Sequence, residues 1–206
     1  MTRARPGLVT LDGVSRCWWG AADPLYRRYH DREWGRPVHR DRALYEKLCL
    51  EGFQAGLAWI TILRKREHFR AAFRGFDPVL VTRFGARDVR RLLSDPGIVR
   101  HRGKIEAAIH NAARVLEVRR EFGSFSRYIW SYAPRPRAAP RGRAGIPAVT
   151  PASRMLAADL RQRGFRFVGP TTVYAFMQAM GLVNDHLAGC HFREVSRTLP
   201  RARSSR

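Results

Sequence analysis

Residues 94–109 read S-D-P-G-I-V-R-H-R-G-K-I-E-A-A-I. Asp95-Pro96-Gly97 is turn chemistry: an aspartate bonds nearby backbone, a proline presets one dihedral, and a glycine tolerates a tight bend. Ala86 to Ser94 reads as a short helix before the turn. Lys104 to Phe122 reads as a long helix after it, with Ile105, Ile109, Ala112 and Leu116 at core spacing. Gly103 stands directly before that helix. A glycine there lets backbone N–H groups approach an anion closely, and the helix dipole and the Lys104 ammonium favour the anion. The predicted unit is a helix, a hairpin and a helix over about 86–122, offering Gly97, Arg102, Gly103 and Lys104 to a phosphate. The competing reading is a plain polar turn between two helices.

Charge favours the phosphate. The 206-residue chain carries a formal net charge of +22. Residues 1–10, 133–146 and 193–206 hold eleven arginines against one acid, yet the remainder still carries +12. A folded body this basic is matched first by nucleic acid, because neutralising phosphates releases counterions. No strongly amphipathic basic helix suits a membrane surface, no apolar run is long enough to span a bilayer, and no start resembles a signal peptide. Three cysteines make no disulfide framework and fit a reducing compartment. The expectation is a soluble, cytoplasmic monomer that meets DNA in the nucleoid. Only Lys47, Lys65 and Lys104 are lysines.

The remaining pattern is also helical. Asp23-Pro24 is an N-cap followed by proline at the first helical position, with Gly35 past the end. Further helices are predicted from near Asp41, from Trp59 to Phe73, from Phe125 to Tyr132, from Thr150-Pro151 to Gly164, and from Thr171 to Met180. Strand-like runs are nearly absent, so the fold class is all-α. Residues 1–16 read as a flexible basic leader, 17–192 as the folded domain, about 133–147 as an exposed Arg/Pro loop, and 193–206 as a disordered basic tail.

Two groupings carry chemistry. Cys17 and His30 lie near the start, His186 and Cys190 near the end. The last two are four apart, so one helical turn would set them on one face. Two thiolates and two imidazoles make a closed tetrahedral zinc set, structural rather than catalytic. Spacing alone leaves buried thiols and ordinary surface histidines as the alternative. The second grouping is L-C-L-E-G-F-Q-A-G-L-A-W-I, residues 48–60. Glu51 shares a stripe with Leu44 and Leu48 and lies near a helix C-terminus, where the dipole disfavours a carboxylate. Trp18, Trp19, Tyr26, Tyr29, Trp34 and Trp59 surround it in sequence. Each aromatic alone is ordinary core. Together with a misplaced acid they suit a flat, electron-poor ligand such as a cationic purine.

Five ordered blocks make a specific resemblance: R-C-x-W, D-P-L-Y-x-x-Y-H-D-x-E-W-G, L-E-G-F-Q-A-G-L-x-W, G-I-V-R-H-R-G-K-I and F-V-G-P-T-T-V-Y-x-F-M-Q-A-x-G-L-V-N-D-H. From about Cys17 to Cys190 the chain resembles the DNA-3-methyladenine glycosylase type I family. The resemblance implies a helix-hairpin-helix DNA glycosylase fold, with a zinc ion on Cys17, His30, His186 and Cys190 joining the two ends. It implies that Glu51, Tyr29 and Trp59 recognise the base, with Trp19 and Tyr26 lining the pocket. It implies hydrolysis of 3-methyladenine from alkylated double-stranded DNA by a monofunctional enzyme. No aspartate occurs between Asp95 and Asp159, where many glycosylases of this superfamily carry a catalytic one. Glu51 is the expected catalytic residue, Tyr29 and Trp59 the rings stacked on the two base faces, and Leu57 the wedge into the vacated stack. Two alternatives stand beside this. A bifunctional glycosylase-lyase needs an amine nucleophile, and a non-catalytic zinc-stabilised DNA-binding module would not need Glu51.

Overall fold

In a computed structural model that describes residues 7–197, the chain is helical apart from one short ribbon. The ribbon pairs β1 (Leu8–Leu11) antiparallel with β2 (Val14–Cys17). The helices are α1 (Trp18–Ala21), α2 (Pro24–Arg32), α3 (Asp41–Gln54), α4 (Trp59–Ala72), α5 (Pro78–Val81) and α6 (Ala86–Ser94). They continue with α7 (Arg102–Phe122), α8 (Phe125–Trp130), α9 (Pro151–Gln162), α10 (Pro170–Ala179) and α11 (Phe192–Arg197). No helix among the described residues is long and apolar enough to cross a membrane.

Helix α3 is the axis, packed against α4, α7, α8 and α10. Its sequence explains why: nine of the ten residues from Leu44 to Phe53 are buried, and Glu46 alone is not. A helix apolar on most sides has nowhere to go but the middle of the fold. Its two buried charges, Lys47 and Glu51, are i,i+4 and satisfy each other. Helix α7 lies alongside with Ile105, Ala108, Ala112 and Val115 fully covered. The expected stripe through Ile109 and Leu116 is only half-buried, because the covered face runs through Ala108, Asn111 and Val115 instead.

The caps follow the sequence closely. Asp23 accepts from Leu25 N and Tyr26 N, and Thr150 forms a capping box with Ser153. Gly181 ends α10 with φ +76°, and a Cβ there would meet the backbone of Arg36 and Pro37 at 2.5 Å, so only glycine allows this close crossing. Helix α7 starts two residues earlier than expected. His101 is its N-cap and accepts from Lys104 N at 3.2 Å, which places Gly103 inside the first turn.

Three segments differ from expectation. Of the leader 1–16, residues 8–16 belong to the ribbon, turned at Asp12-Gly13 with both residues at positive φ. An Asp-Gly pair between V-T-L and V-S-R is a two-residue hairpin signal that the helical reading passed over. The loop 133–147 is pinned rather than free: Arg137 bonds Asp185, and Ala188 N donates to Pro140 O at 2.8 Å. The expected tail 193–206 is helical as far as Arg197; its remainder, 198–206, and the start of the leader, 1–6, lie outside the described residues. The ribbon also joins the ends of the domain, since His191 N donates to Ser15 O at 2.9 Å and Leu187 packs with Cys17 and Cys190.

Candidate active site and metal centre

Cys17, His30, His186 and Cys190 converge, all four buried, with their ligand atoms within 4.8 Å of one another. Cys17 ends β2, His30 sits in the last turn of α2, and the other two lie in the irregular segment after α10. The expected helical turn linking His186 and Cys190 is absent; a Leu187 O to Cys190 N bond closes that segment instead. Cys190 Sγ stands 3.5 Å from His186 Nδ1 and 3.6 Å from His30 Nε2, and Cys17 Sγ 3.9 Å from His186 Nδ1. Sulfur and nitrogen ligands at ordinary zinc distances in a tetrahedron are about 3.6 Å apart. The outer contacts fix the tautomers. His30 Nδ1 lies 2.8 Å from Asp31 Oδ1, and His186 Nε2 lies 3.2 Å from Trp34 O, so each ring donates outward and turns a lone pair inward. Asp31 is held in turn by Arg16 Nε. The two free thiols act on each other: Cys190 and burial raise Cys17, while Cys17, with His186 and His30, lowers Cys190 toward thiolate. Gly20 makes room for this cluster: a Cβ there would come within 2.5 Å of the His30 ring.

Beside the cluster opens a cavity of about 270 Å³ lined by Trp18, Trp19, Tyr26, Tyr29, Trp34 and Trp59, with Glu51, Gln54 and Gln178 as its main hydrogen-bonding side chains. Trp19 bridges the two sites, its ring 4.9 Å from His30 and 5.9 Å from Tyr26. Glu51 is 5 % exposed, and its partner is Lys47 Nζ at 2.7 Å. Lys47 also donates to Tyr29 OH at 2.9 Å and lies 3.3 Å from the centre of the Trp59 ring. Burial pushes the Lys47 amine below its ordinary value, partly opposed by Glu51. Burial, reinforced by Glu51, raises the Tyr29 phenol well above its usual range. Tyr26 OH accepts from Ile60 N at 3.1 Å and braces the start of α4. A larger groove of about 1000 Å³ runs beside residues 134–139, but it holds neither the tryptophans nor the buried carboxylate.

Tyr29 and Trp59 are placed together but not as opposed walls. Their ring centres are 5.5 Å apart and tilted by 44°. A base between two rings needs about twice the ~3.4 Å stacking rise of DNA. The cause is Lys47, which draws both rings toward one ammonium. They form adjoining walls, and Lys47 is the residue that sequence reasoning missed.

Leu57 is 41 % exposed in the turn between α3 and α4, the segment that joins the cavity residues Gln54 and Trp59. The α6–α7 turn exposes Arg100, His101 and Arg102, and Asp95 Oδ1 accepts from Gly97 N at 2.7 Å. Lys104 corrects the expectation of a phosphate contact. It is buried, and its amine donates to Phe53 O at 3.0 Å and Ala55 O at 2.5 Å. The end of α3 has buried carbonyls without helical partners, and a cation placed there satisfies them. Arg102 remains exposed and, among the described residues, pairs with Glu106 on its own helix. Phe167 is also 41 % exposed, at φ +56°; it sits over Gly52 and lies edge-on to His101. Asn111 clamps the preceding residue through both its amide atoms, to Arg166 O and from Arg166 N. A bulky residue in the left-handed region is costly, and the clamp holds it there.

The same fold occurs in known glycosylases. The crystal structure of a 3-methyladenine DNA glycosylase I matches with TM-score 0.82 at 50% identity, covering 85% of this chain and 98% of that one. A variant of a 3-methyladenine DNA glycosylase I, solved in complex with 3-methyladenine, matches with TM-score 0.81 at 39% identity over 84% of this chain and 95% of that one. The class is thus that of a helical DNA glycosylase. DNA-3-methyladenine glycosylase 1 of Escherichia coli K12 is 49% identical over 179 residues, 86% of this chain and 96% of its own length. The methyladenine glycosylase family model matches residues 18–194, and the chain belongs to that family of DNA-3-methyladenine N-glycosylases.

Proposed function

We propose that the protein flips 3-methyladenine out of alkylated duplex DNA and hydrolyses its N-glycosidic bond, leaving an abasic site. One observation carries this reading: a buried carboxylate, Glu51, at the wall of a base-sized aromatic cavity. Methylation at N3 gives adenine a positive charge and weakens its bond to the sugar. The base leaves neutral, so strong acid catalysis is unnecessary. Glu51 accepts from the base edge and favours the cationic substrate. Trp59 and Tyr29 cover one side of the base, with Trp19 and Tyr26 completing the slot. Water then attacks C1′ through an oxocarbenium-like transition state.

Extrusion costs a few kcal/mol, which binding must return. Leu57 fills the vacated stack, and Phe167 is a second apolar contact beside the hairpin. Arg102 and the first N–H groups of α7 at Arg102 and Gly103 take the phosphate role expected of Lys104, with Gly97 shaping the turn. A monofunctional course fits the lysines: Lys47 is committed to Glu51, Lys65 to Pro96 O and Lys104 to α3, and none lines the cavity. The Cys17, His30, His186 and Cys190 set fits zinc by donor type, spacing and outer hydrogen bonds, and a bound zinc would fasten the ribbon to the C-terminal segment. Release of free 3-methyladenine from methylated duplex DNA tests the activity. DNA binding without base release would return the protein to the non-catalytic alternative.

A further inference from the structure

Gln178, on α10, lines the cavity, and its amide is not free to turn. Its Nε2 donates to Asp185 Oδ2 at 2.9 Å. Asp185 is fully buried and collects donors on both oxygens: Tyr174 OH and Gln178 on Oδ2, and Arg137 Nε at 3.2 Å and Nη2 at 2.7 Å on Oδ1. A carboxylate so held only accepts, and a guanidinium only donates. The amide nitrogen of Gln178 must therefore face Asp185, which settles its orientation on chemical grounds. The oxygen, Oε1, is the polar end left for the cavity.

We infer that Gln178 is a specificity residue, presenting Oε1 as a fixed acceptor that selects N3-alkylated purines with an amino group at the six-position over those with a carbonyl there. This deepens the 3-methyladenine reading and rests on it. An adenine offers two N–H donors at that position, and Glu51 and Gln178 supply two acceptors to receive them. A 3-methylguanine would bring O6 against those same lone pairs, leaving polar groups opposed and unpaired. Sites built around a buried hydrogen bond reject the mismatched analogue far more strongly than sites that read shape. Arg137 gains a role as well. It comes from the loop 133–147 and acts through Asp185 to hold the amide in place, which makes it a positioning residue.

The test is competitive excision from duplex DNA carrying both 3-methyladenine and 3-methylguanine, with each released base quantified. Wild type should release 3-methyladenine in clear preference. Gln178→Met keeps the length but has no acceptor, and should lower the ratio of the two rates roughly tenfold. Arg137→Met, which leaves Gln178 and its bond to Asp185 in place but removes the guanidinium that holds the other carboxylate oxygen, should lower it several-fold and supplies the readout if Gln178→Met does not fold. A ratio unchanged in both variants, or no preference in wild type, overturns this inference while leaving the glycosylase reading intact. Release of neither base by wild type overturns that reading, and this inference with it.

Discussion

At the level of single residues, the pocket turns on two buried charges one helical turn apart. Glu51 is legible in sequence because an acid on the Leu44–Leu48 stripe is out of place. Lys47 is not, because a lysine four residues before a glutamate is the commonest of exposed helix pairs. Only the position of α3 at the centre of the fold makes it a buried one. Removing one partner of such a pair leaves an uncompensated charge, at a cost of about 3 kcal/mol or more. Lys47→Met should therefore destabilise strongly, whereas the double variant Lys47→Met/Glu51→Gln should recover much of the loss. Denaturant unfolding of the four proteins in the cycle measures this, and additive losses would refute the pairing. The pair has a pH signature too. Because burial lowers the Lys47 amine, the unfolded chain holds more protons between that lowered value and the ordinary lysine value. Stability from this group is therefore gained as pH rises through that window. Lys47→Met should lack that gain when its stability is compared with wild type across alkaline pH.

At the level of elements, the α6–α7 turn is where sequence and structure diverge most usefully. Turn chemistry at Asp95-Pro96-Gly97 and the two flanking helices are readable from local preferences. The direction of Lys104 is not, because it depends on the carbonyls of α3 some fifty residues away. The ribbon was missed for the opposite reason: its Asp-Gly signal is local, but its strands are only four residues each. With Lys104 turned inward, the proposed phosphate contact falls to the exposed Arg102. Arg102→Ala should weaken binding to abasic and undamaged duplex alike and reduce the slope of log affinity against log salt by about one. Phe167→Ala should leave that slope alone while weakening abasic-site binding. An unaltered slope in Arg102→Ala would take the hairpin off the phosphate backbone.

On the scale of the whole molecule, the Cys17, His30, His186 and Cys190 cluster joins the two ends of the domain and adjoins the base cavity through Trp19. Its four ligands are visible in sequence only as two distant pairs, and the irregular segment that brings His186 to Cys190 is beyond helical periodicity. The protein as purified should contain about one zinc per chain. Cys190→Ser should lower metal content and the melting midpoint by about 6 °C, roughly 2 kcal/mol for a domain near this size. Metal-free wild type of unchanged stability would exclude a structural zinc. The central claim is that one buried carboxylate beside those rings recognises a cationic purine, and single-turnover release of 3-methyladenine from methylated duplex DNA tests it most directly. Glu51→Gln keeps the size of the side chain and removes its charge. The account predicts a fall of roughly tenfold or more in the excision rate, about 1.4 kcal/mol or greater, with non-specific DNA binding barely changed. Excision by Glu51→Gln at the wild-type rate would contradict it.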